Sequence, residues 1–192
     1  KEMVANLIHQ SSGRRAKPFV PVSCAILSEN LIESELFGHE RGAFTDARTS
    51  KIGLLQAADH GTLFLDELGC LPLTIQIKIL KAIEEKTIRP LGGRSDRKID
   101  VHIVAATNSD LEDMVRAGTF RQDLFFRLAG YEIRVPPLRE RTSDIPLLVG
   151  HFRQRFLKQI GRESIAGPTR DVLNVLSEYA WPGNVRELEQ AV

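Results

Sequence analysis

Apolar residues recur along this chain with two different periods, and the switches between them divide it into elements. Met3, Val4, Leu7 and Ile8 fall at helical spacing within Lys1 to Gln10. Pro18 to Ser23 then carries Phe19, Val20 and Val22 in a short apolar run, which predicts a buried strand ending in Ser23-Cys24. Ser28 is a candidate cap for a helix running to Phe37, with Glu29 to Glu35 placing acids near its positive end. Ile52 to Ala58 predicts another helix. Thr62 to Leu65 is apolar without alternation, as expected of a strand covered on both faces. Leu71 to Glu85 follows, a helix opened by Pro72 with Leu73, Ile77, Leu80, Ala82 and Ile83 on one face. Pro90 to Ser95 is a turn-rich, mobile connection. Ile99 to Ala106 predicts the next strand, Asp110 starts a short helix, and Tyr131 to Val135 predicts a last strand closed by Pro136-Pro137.

Beyond Arg141 only the helical period remains. Ser143 or Asp144 opens a helix with Ile145, Leu148, Phe152, Phe156 and Ile160 in step, stopped by Gly161. Val172, Leu176 and Tyr179 mark a second. Trp181-Pro182-Gly183 breaks it, and Asn184 with Glu187 has capping-box spacing for a third. The expected fold is α/β, a parallel sheet sandwiched by helices over 1–140, followed by a small all-helical domain over 141–192.

Composition narrows the function only by exclusion. The 192 residues are 42% hydrophobic and 27% charged, ordinary values for a chain that buries a real core. A net charge of +1 supplies no basic field for duplex binding. Cys24 and Cys70 are too few and too isolated for a disulfide framework or a zinc site, so a reduced, cytoplasmic protein is the expectation. No apolar run is long enough to span a bilayer, and no membrane partner is expected. The chain opens and closes inside helical patterns and reads as part of something longer.

The candidate chemistry begins with Asp66 and Glu67, adjacent carboxylates at the end of the most apolar strand. In open α/β sheets ligands bind at the carboxyl ends of strands. By itself the pair reads more readily as a solvated acidic turn than as a catalytic pair. Thr107 and Asn108 end the following strand at the same sheet edge, where an amide can hold water against a phosphate or merely form a turn. Lys1 can be the lysine that ends a phosphate-binding loop, although the glycines of such a loop are missing and Glu2 stands where Ser or Thr is usual. Phe120 to Leu128 carries Arg121 and Arg127. At about 100° per residue these cannot share one helix face, so they are either surface cations or flank a helix end. Phe37 to Ala47 fits neither period. Its two glycines and central Phe44 suit an exposed loop between helices, shaped like a protein-contacting tip.

In this order the stretches resemble the AAA+ ATPase domain of bacterial sigma-54-dependent activators, the NtrC-like enhancer-binding proteins, over essentially the whole chain. Glu35 to Glu40 followed by Gly42, Ala43, Phe44, Thr45, Asp46 and Ala47 is similar to the family's sigma-54 contact loop. Gly61 to Glu67 resembles its Walker B motif, Ala105 to Asn108 its sensor I, Phe120 to Arg127 its arginine-finger segment, and Trp181 to Leu188 its sensor II helix. Lys1-Glu2 then resembles the last two residues of the P-loop. The resemblance implies Mg²⁺-dependent ATP hydrolysis in a homo-oligomeric ring, a hexamer or heptamer, that remodels sigma-54 RNA polymerase. It further implies a place in a two-component regulatory system and DNA contact only through a domain outside this chain. Asp66 would hold Mg²⁺, Glu67 would position the attacking water and Asn108 would sense the γ-phosphate. Lys1 and Arg186 would contact nucleotide in the same subunit, and Arg121 and Arg127 would reach a neighbour's site. The residues present, without P-loop glycines, are expected to turn over ATP poorly alone.

Three departures stand out, and the first two bear on regulation. Asp46 replaces the loop's usual glycine and adds charge at the tip. Ser23 stands where the family carries an asparagine that switches the Walker B glutamate, and its reach is shorter. Cys70 stands where an aspartate is common. Two alternatives follow: an oligomerising, nucleotide-sensing regulator without polymerase remodelling, or another AAA+ motor such as a chelatase or helicase loader.

Overall fold

The computed structural model describes residues 1–25, 29–45, 47–161 and 166–192. They fall into two units, Lys1–Glu132 and Ile133–Val192. The first contains α1 (Glu2–Gln10), β1 (Phe19–Ser23), α2 (Glu29–Phe37), β2 (Gly38–His39), β3 (Lys51–Ile52), α3 (Leu54–Ala57), β4 (Thr62–Asp66), α4 (Leu73–Glu85), β5 (Thr87–Ile88), β6 (Arg97–Lys98), β7 (His102–Ala105), α5 (Leu111–Arg116) and α6 (Gln122–Leu128). The second contains α7 (Ile145–Gln159), α8 (Arg170–Glu178) and α9 (Asn184–Ala191).

β4 is the middle strand of a parallel sheet in the order β1-β4-β7. It pairs with β1 from Phe19↔Thr62 to Ser23↔Asp66, and with β7 from Thr62↔His102 to Leu65↔Ala105. Leu63, Phe64 and Leu65 are buried from both sides, which is why the sequence shows no polar alternation here. Each such side chain contributes about 1.5–3 kcal/mol by leaving water. α1 is fastened to this strand by a polar contact inside the core, His9 Nδ1 to Thr62 Oγ1 at 3.0 Å.

Several expectations are corrected. Ile52 to Ala58 is not one helix: Lys51–Ile52 pairs antiparallel with Gly38–His39, and only the single turn Leu54–Ala57 is helical. Phe37 to Ala47 is therefore not a free link between helices but rises from a two-stranded base. Pro90 to Ser95 is the tip of the β5–β6 hairpin, closed by the Gly93 N–H donating to Pro90 O and by Arg89 on Asp96 at 2.7 Å. On α4 the inward face is Ile75, Gln76, Ile79 and Ala82, while Leu73 and Ile77 are exposed. That helix carries two apolar stripes, and packing against its neighbours selects one. Tyr131 to Val135 forms no strand. Its apolar residues are exposed and no ladder neighbour lies beside them among the described residues, so their backbone groups have nothing to pair with. The Ser28 cap lies outside the described residues.

The second unit packs Leu138, Ile145, Val149, Trp181 and Leu188 into its own core. Leu157, not Phe156 or Ile160, is the buried residue of the last turns of α7, and α8 turns Leu173 and Leu176 inward instead of Val172 and Tyr179. The cap of α9 sits one residue earlier than its spacing suggests. Gly183 is the N-cap and its N–H donates to Glu187 Oε2 at 2.8 Å. Asn184 is thereby freed to accept the Leu138 N–H at 2.8 Å. Among the described residues no helix is long and apolar enough to cross a membrane.

Candidate functional site

The carboxyl edge of the sheet gathers residues that are far apart in sequence. Asp66 ends β4, and its Oδ1 accepts the Glu67 N–H at 3.1 Å. Glu67 then takes a left-handed conformation, φ 56° and ψ 49°, and turns the chain into a single 3-10 turn, Leu68–Cys70. A non-glycine residue held there costs about 1–3 kcal/mol, and residues so held cluster at working sites. The turn is kept tight by the Leu68 N–H donating to Ala106 O and the Cys70 N–H donating to Glu67 O, both at 2.9 Å.

Two further residues meet Glu67. The Lys1 ammonium lies 3.5 Å from Oε1, and the Asn108 backbone N–H donates to Oε2 at 3.4 Å. Lys1 caps α1, and Asn108 follows β7, so the paired strands and the packed helix bring positions 1, 67 and 108 to one place. The Asn108 carboxamide itself is exposed, with Oδ1 accepting from Ser109 Oγ at 3.3 Å. Ser23 faces Asp66 across the ladder. Among the described residues its hydroxyl makes no hydrogen bond, so it does not engage Glu67 in this state.

Behind the acids lies Cys24, whose backbone N–H donates to Asp66 O at 2.9 Å. Burial, with added negative potential from Cys70, Asp66 and Glu67, pushes its thiol up to about 12. It is an inert packing thiol. Among the described residues no group of three or more His, Cys, Asp or Glu side chains could cage a metal. Asp66 instead offers one hard carboxylate, the kind of donor with which Mg²⁺ is held when substrate oxygens and waters fill the remaining positions.

The arginines are held apart from the acid pair: no ion pair joins either to Asp66 or Glu67 within the described residues. Arg121 caps α6, and its guanidinium makes a two-point contact with Asp123, Nε to Oδ1 at 3.0 Å and Nη2 to Oδ2 at 2.6 Å. That hydrogen-bonded partner holds the Asp123 carboxyl below its usual range. Arg127 is exposed in the last turn of the same helix. Arg186 is exposed on α9 in the second unit.

The loop above β2 and β3 is folded on itself. Gly42 N–H donates to Ala47 O and Ala47 N–H to Phe44 O, and the Phe44 ring sits edge-on to His39 with centroids 5.0 Å apart. Phe44, at 44% exposure, and Thr45 form the outer surface together with Gly42, and Ala43 is half-buried. Ala47 is buried and closes the loop from inside, so it is not part of a contact surface. Asp46 lies outside the described residues. The loop's base is joined to the β5–β6 hairpin by Glu40 on Arg97 and by the exchange of backbone bonds between Gly38, Glu40 and Leu91.

Sequence reasoning missed Gln76, His9, Asp123 and the Glu40–Arg97 pair. Gln76 left a trace, since it interrupts an apolar helix stripe; His9 left none, because Met3 and Leu7 of the expected stripe on α1 are exposed and the helix buries Ala5 and His9 instead. The ion pairs left none.

Comparison with known proteins agrees with this layout. Residues 1–134 match the family described as the Sigma-54 interaction domain, and residues 139–192 the AAA+ ATPase lid domain. The transcriptional regulatory protein ZraR of Escherichia coli K12 is 50% identical over 192 residues, 100% of this chain and 43% of ZraR. The response regulator PilR of Pseudomonas aeruginosa is 51% identical over 189 residues, 98% of this chain and 42% of PilR. The chain thus spans less than half the length of these relatives. Among solved structures, NtrX of Brucella abortus in complex with ADP superposes with a TM-score of 0.90 at 39% identity, covering 98% of this chain and 41% of NtrX. The chain belongs to the sigma-54 interaction domain family of AAA+ ATPases and carries that family's helical lid.

Proposed function

We propose that this chain is the motor portion of a transcriptional activator, hydrolysing ATP at the interfaces of a homo-oligomeric ring to remodel sigma-54 RNA polymerase in the cytoplasm. One observation carries the reading: Lys1, Glu67 and Asn108 converge beside Asp66 at the carboxyl edge of a parallel sheet. A cation, two carboxylates and an exposed amide at that edge suit a nucleotide phosphate and its water. NtrX has also been crystallised in complex with ATP. Lys1 is assigned to the phosphates and Asp66 to Mg²⁺. When bound, Mg²⁺ neutralises charge on the phosphate oxygens. Glu67, already turned out of the strand by its left-handed backbone, orients the attacking water. Asn108 reads the γ-phosphate, and Ser23 is the switch candidate toward Glu67. Arg121 and Arg127 serve the neighbouring subunit, and Arg186 is the nucleotide contact of the helical unit. Gly42, Ala43, Phe44 and Thr45 form the surface toward sigma-54.

The test uses the full-length protein, which supplies whatever precedes Lys1. Glu67→Gln should bind ATP normally while hydrolysis falls about a hundredfold or more. Thr45→Ala should hydrolyse ATP at the wild-type rate yet fail to trap sigma-54 in the presence of a transition-state mimic. Loss of hydrolysis and trapping together in Thr45→Ala would make the loop part of the ring's structure. Wild-type protein that never trapped sigma-54 would favour the nucleotide-sensing regulator.

A further inference from the structure

Gln76 is fully buried on the inward face of α4. A primary amide in such a place is strongly disfavoured unless its hydrogen bonds are made. Here Nε2 donates to Leu71 O at 2.8 Å and to Thr119 O at 3.2 Å, and Oε1 accepts the Arg121 N–H at 2.8 Å. Both donors and the carbonyl are used, and the amide has only one workable orientation. Flipped, it would set its oxygen against two carbonyls and its NH₂ against an N–H. Neither glutamate nor an apolar residue offers the same set.

The groups it joins are informative. Leu71 closes the 3-10 turn that begins at Glu67. Arg121 is the N-cap of α6, and its guanidinium borders an open groove of 640 Å³ shared with Leu73, Phe120, Asp123 and Phe126. One buried side chain therefore ties the end of the acid turn to the backbone from which Arg121 projects. Asp123 holds the guanidinium from the other side at the surface.

We infer that Gln76 is a positioning residue, setting Arg121 in register with the acid turn of its own chain, so that the arginine offered to a neighbouring subunit follows the state of the site behind it. The inference rests on the reading of Arg121 as a group that acts across a subunit interface. Gln76 itself touches no substrate. Its effect is geometric, and a misplacement of about 1 Å can cost about a hundredfold in rate.

The experiment is subunit mixing in the full-length protein. Gln76→Met removes all three hydrogen bonds at similar length. Alone it should lose about tenfold to a hundredfold in kcat while nucleotide affinity is kept. In an Arg121→Ala background it should cost nothing further, because the group it positions is gone. The decisive readout is mixing with Glu67→Gln subunits, which have impaired sites but sound arginines. A Gln76→Met subunit has a sound site, so its hydrolysis should recover when a Glu67→Gln neighbour supplies the arginine, as it should for Arg121→Ala. A merely structural loss inside the Gln76→Met subunit would not be rescued from outside. Recovery of Arg121→Ala without recovery of Gln76→Met overturns the positioning role and leaves the interface reading intact. Recovery of neither, with subunit exchange verified, overturns both. Should Gln76→Met fail to fold, Gln76→Glu carries the same experiment: its neutral form keeps the acceptor and one donor. Its activity should then fall relative to wild type as rising pH ionises it.

Discussion

Gly38 and Gly42 sit at the two ends of the same loop segment, both left-handed, with φ of 76° and 82°, and they should respond to alanine very differently. At Gly42 nothing lies within 4 Å of an added Cβ. Gly42→Ala therefore meets only the backbone penalty, about 1–2 kcal/mol, partly offset by the stiffer unfolded chain, about 0.4–1 kcal/mol. At Gly38 the new Cβ would collide with backbone on β3 and beyond, Lys51 O and Gly53 N. Backbone cannot swing aside like a side chain, so the β2–β3 base must open. The loss of one or two hydrogen bonds adds about 0.5–1.5 kcal/mol each, so mid-range values give a net destabilisation of about 2–3 kcal/mol against about 1 for Gly42. The bonds at risk are those of the β2–β3 pair itself, in which Gly38 stands opposite Ile52 and His39 opposite Lys51. Hydrogen exchange at the hydrogen-bonded amides of this pair is the assay. At about 1.4 kcal/mol per factor of ten, Gly38→Ala should lower their protection about 30- to 150-fold. Equal effects of the two substitutions, or unchanged protection in Gly38→Ala, would refute the steric argument.

Two other predictions follow from charge and burial. The Arg14 guanidinium, hydrogen-bonded to Asp100 at 2.9 Å, holds that carboxyl below its usual range. A depressed folded-state pKa stabilises above the unfolded value, about 4, and the contribution is lost as pH falls through the folded value. Thermal midpoints should thus drop on acidification below about pH 4, and Arg14→Met should flatten that drop; an identical acid slope would sink the assignment. Cys24 is buried with its thiol pushed up to about 12, whereas Cys70 is exposed. A thiol reagent at mildly alkaline pH should label one cysteine per folded chain and none in Cys70→Ser, with the second appearing only on unfolding; rapid labelling of both would contradict the burial.

Some of this was legible before any coordinates, for physical reasons that can be named. A strand covered on both faces must be apolar without interruption, so β4 and its terminal acids stood out. The parallel arrangement then determined that Asn108 would end beside Glu67. The α4 face was not legible, because Leu73-Thr74-Ile75-Gln76-Ile77 places apolar residues on two sides and only the packed neighbours choose between them. Two-residue strands such as β2 and β5 are also invisible to periodicity. Each is defined by a partner, β2 by β3 and β5 by β6, and a bridge from His39 to Leu91 joins the two pairs. Tyr131 to Val135 shows the converse, with strand composition but no ladder partner among the described residues.

The two ends of the sheet are built for different tasks. At the amino end of β4 the Arg14 guanidinium donates to Asp100 O at 2.7 Å and Gly61 O at 3.3 Å, and Asp59 accepts the Asp100 N–H at 2.8 Å. His9 meets Thr62 just inside. These contacts are backbone-directed and fasten the strands to each other and to α1. At the carboxyl end the backbone turn is tight, but the Glu67 side chain has only long contacts, Lys1 at 3.5 Å and one N–H at 3.4 Å, on a backbone in a strained conformation. An exposed ion pair of that length contributes about 1 kcal/mol at most, comparable to the strain it opposes. The Glu67 carboxylate is therefore a weakly held group on a firmly held backbone. On the proposed reading, a reorientation of that carboxylate leaves the fastened sheet in place, and Gln76 ties the turn beneath it to Arg121.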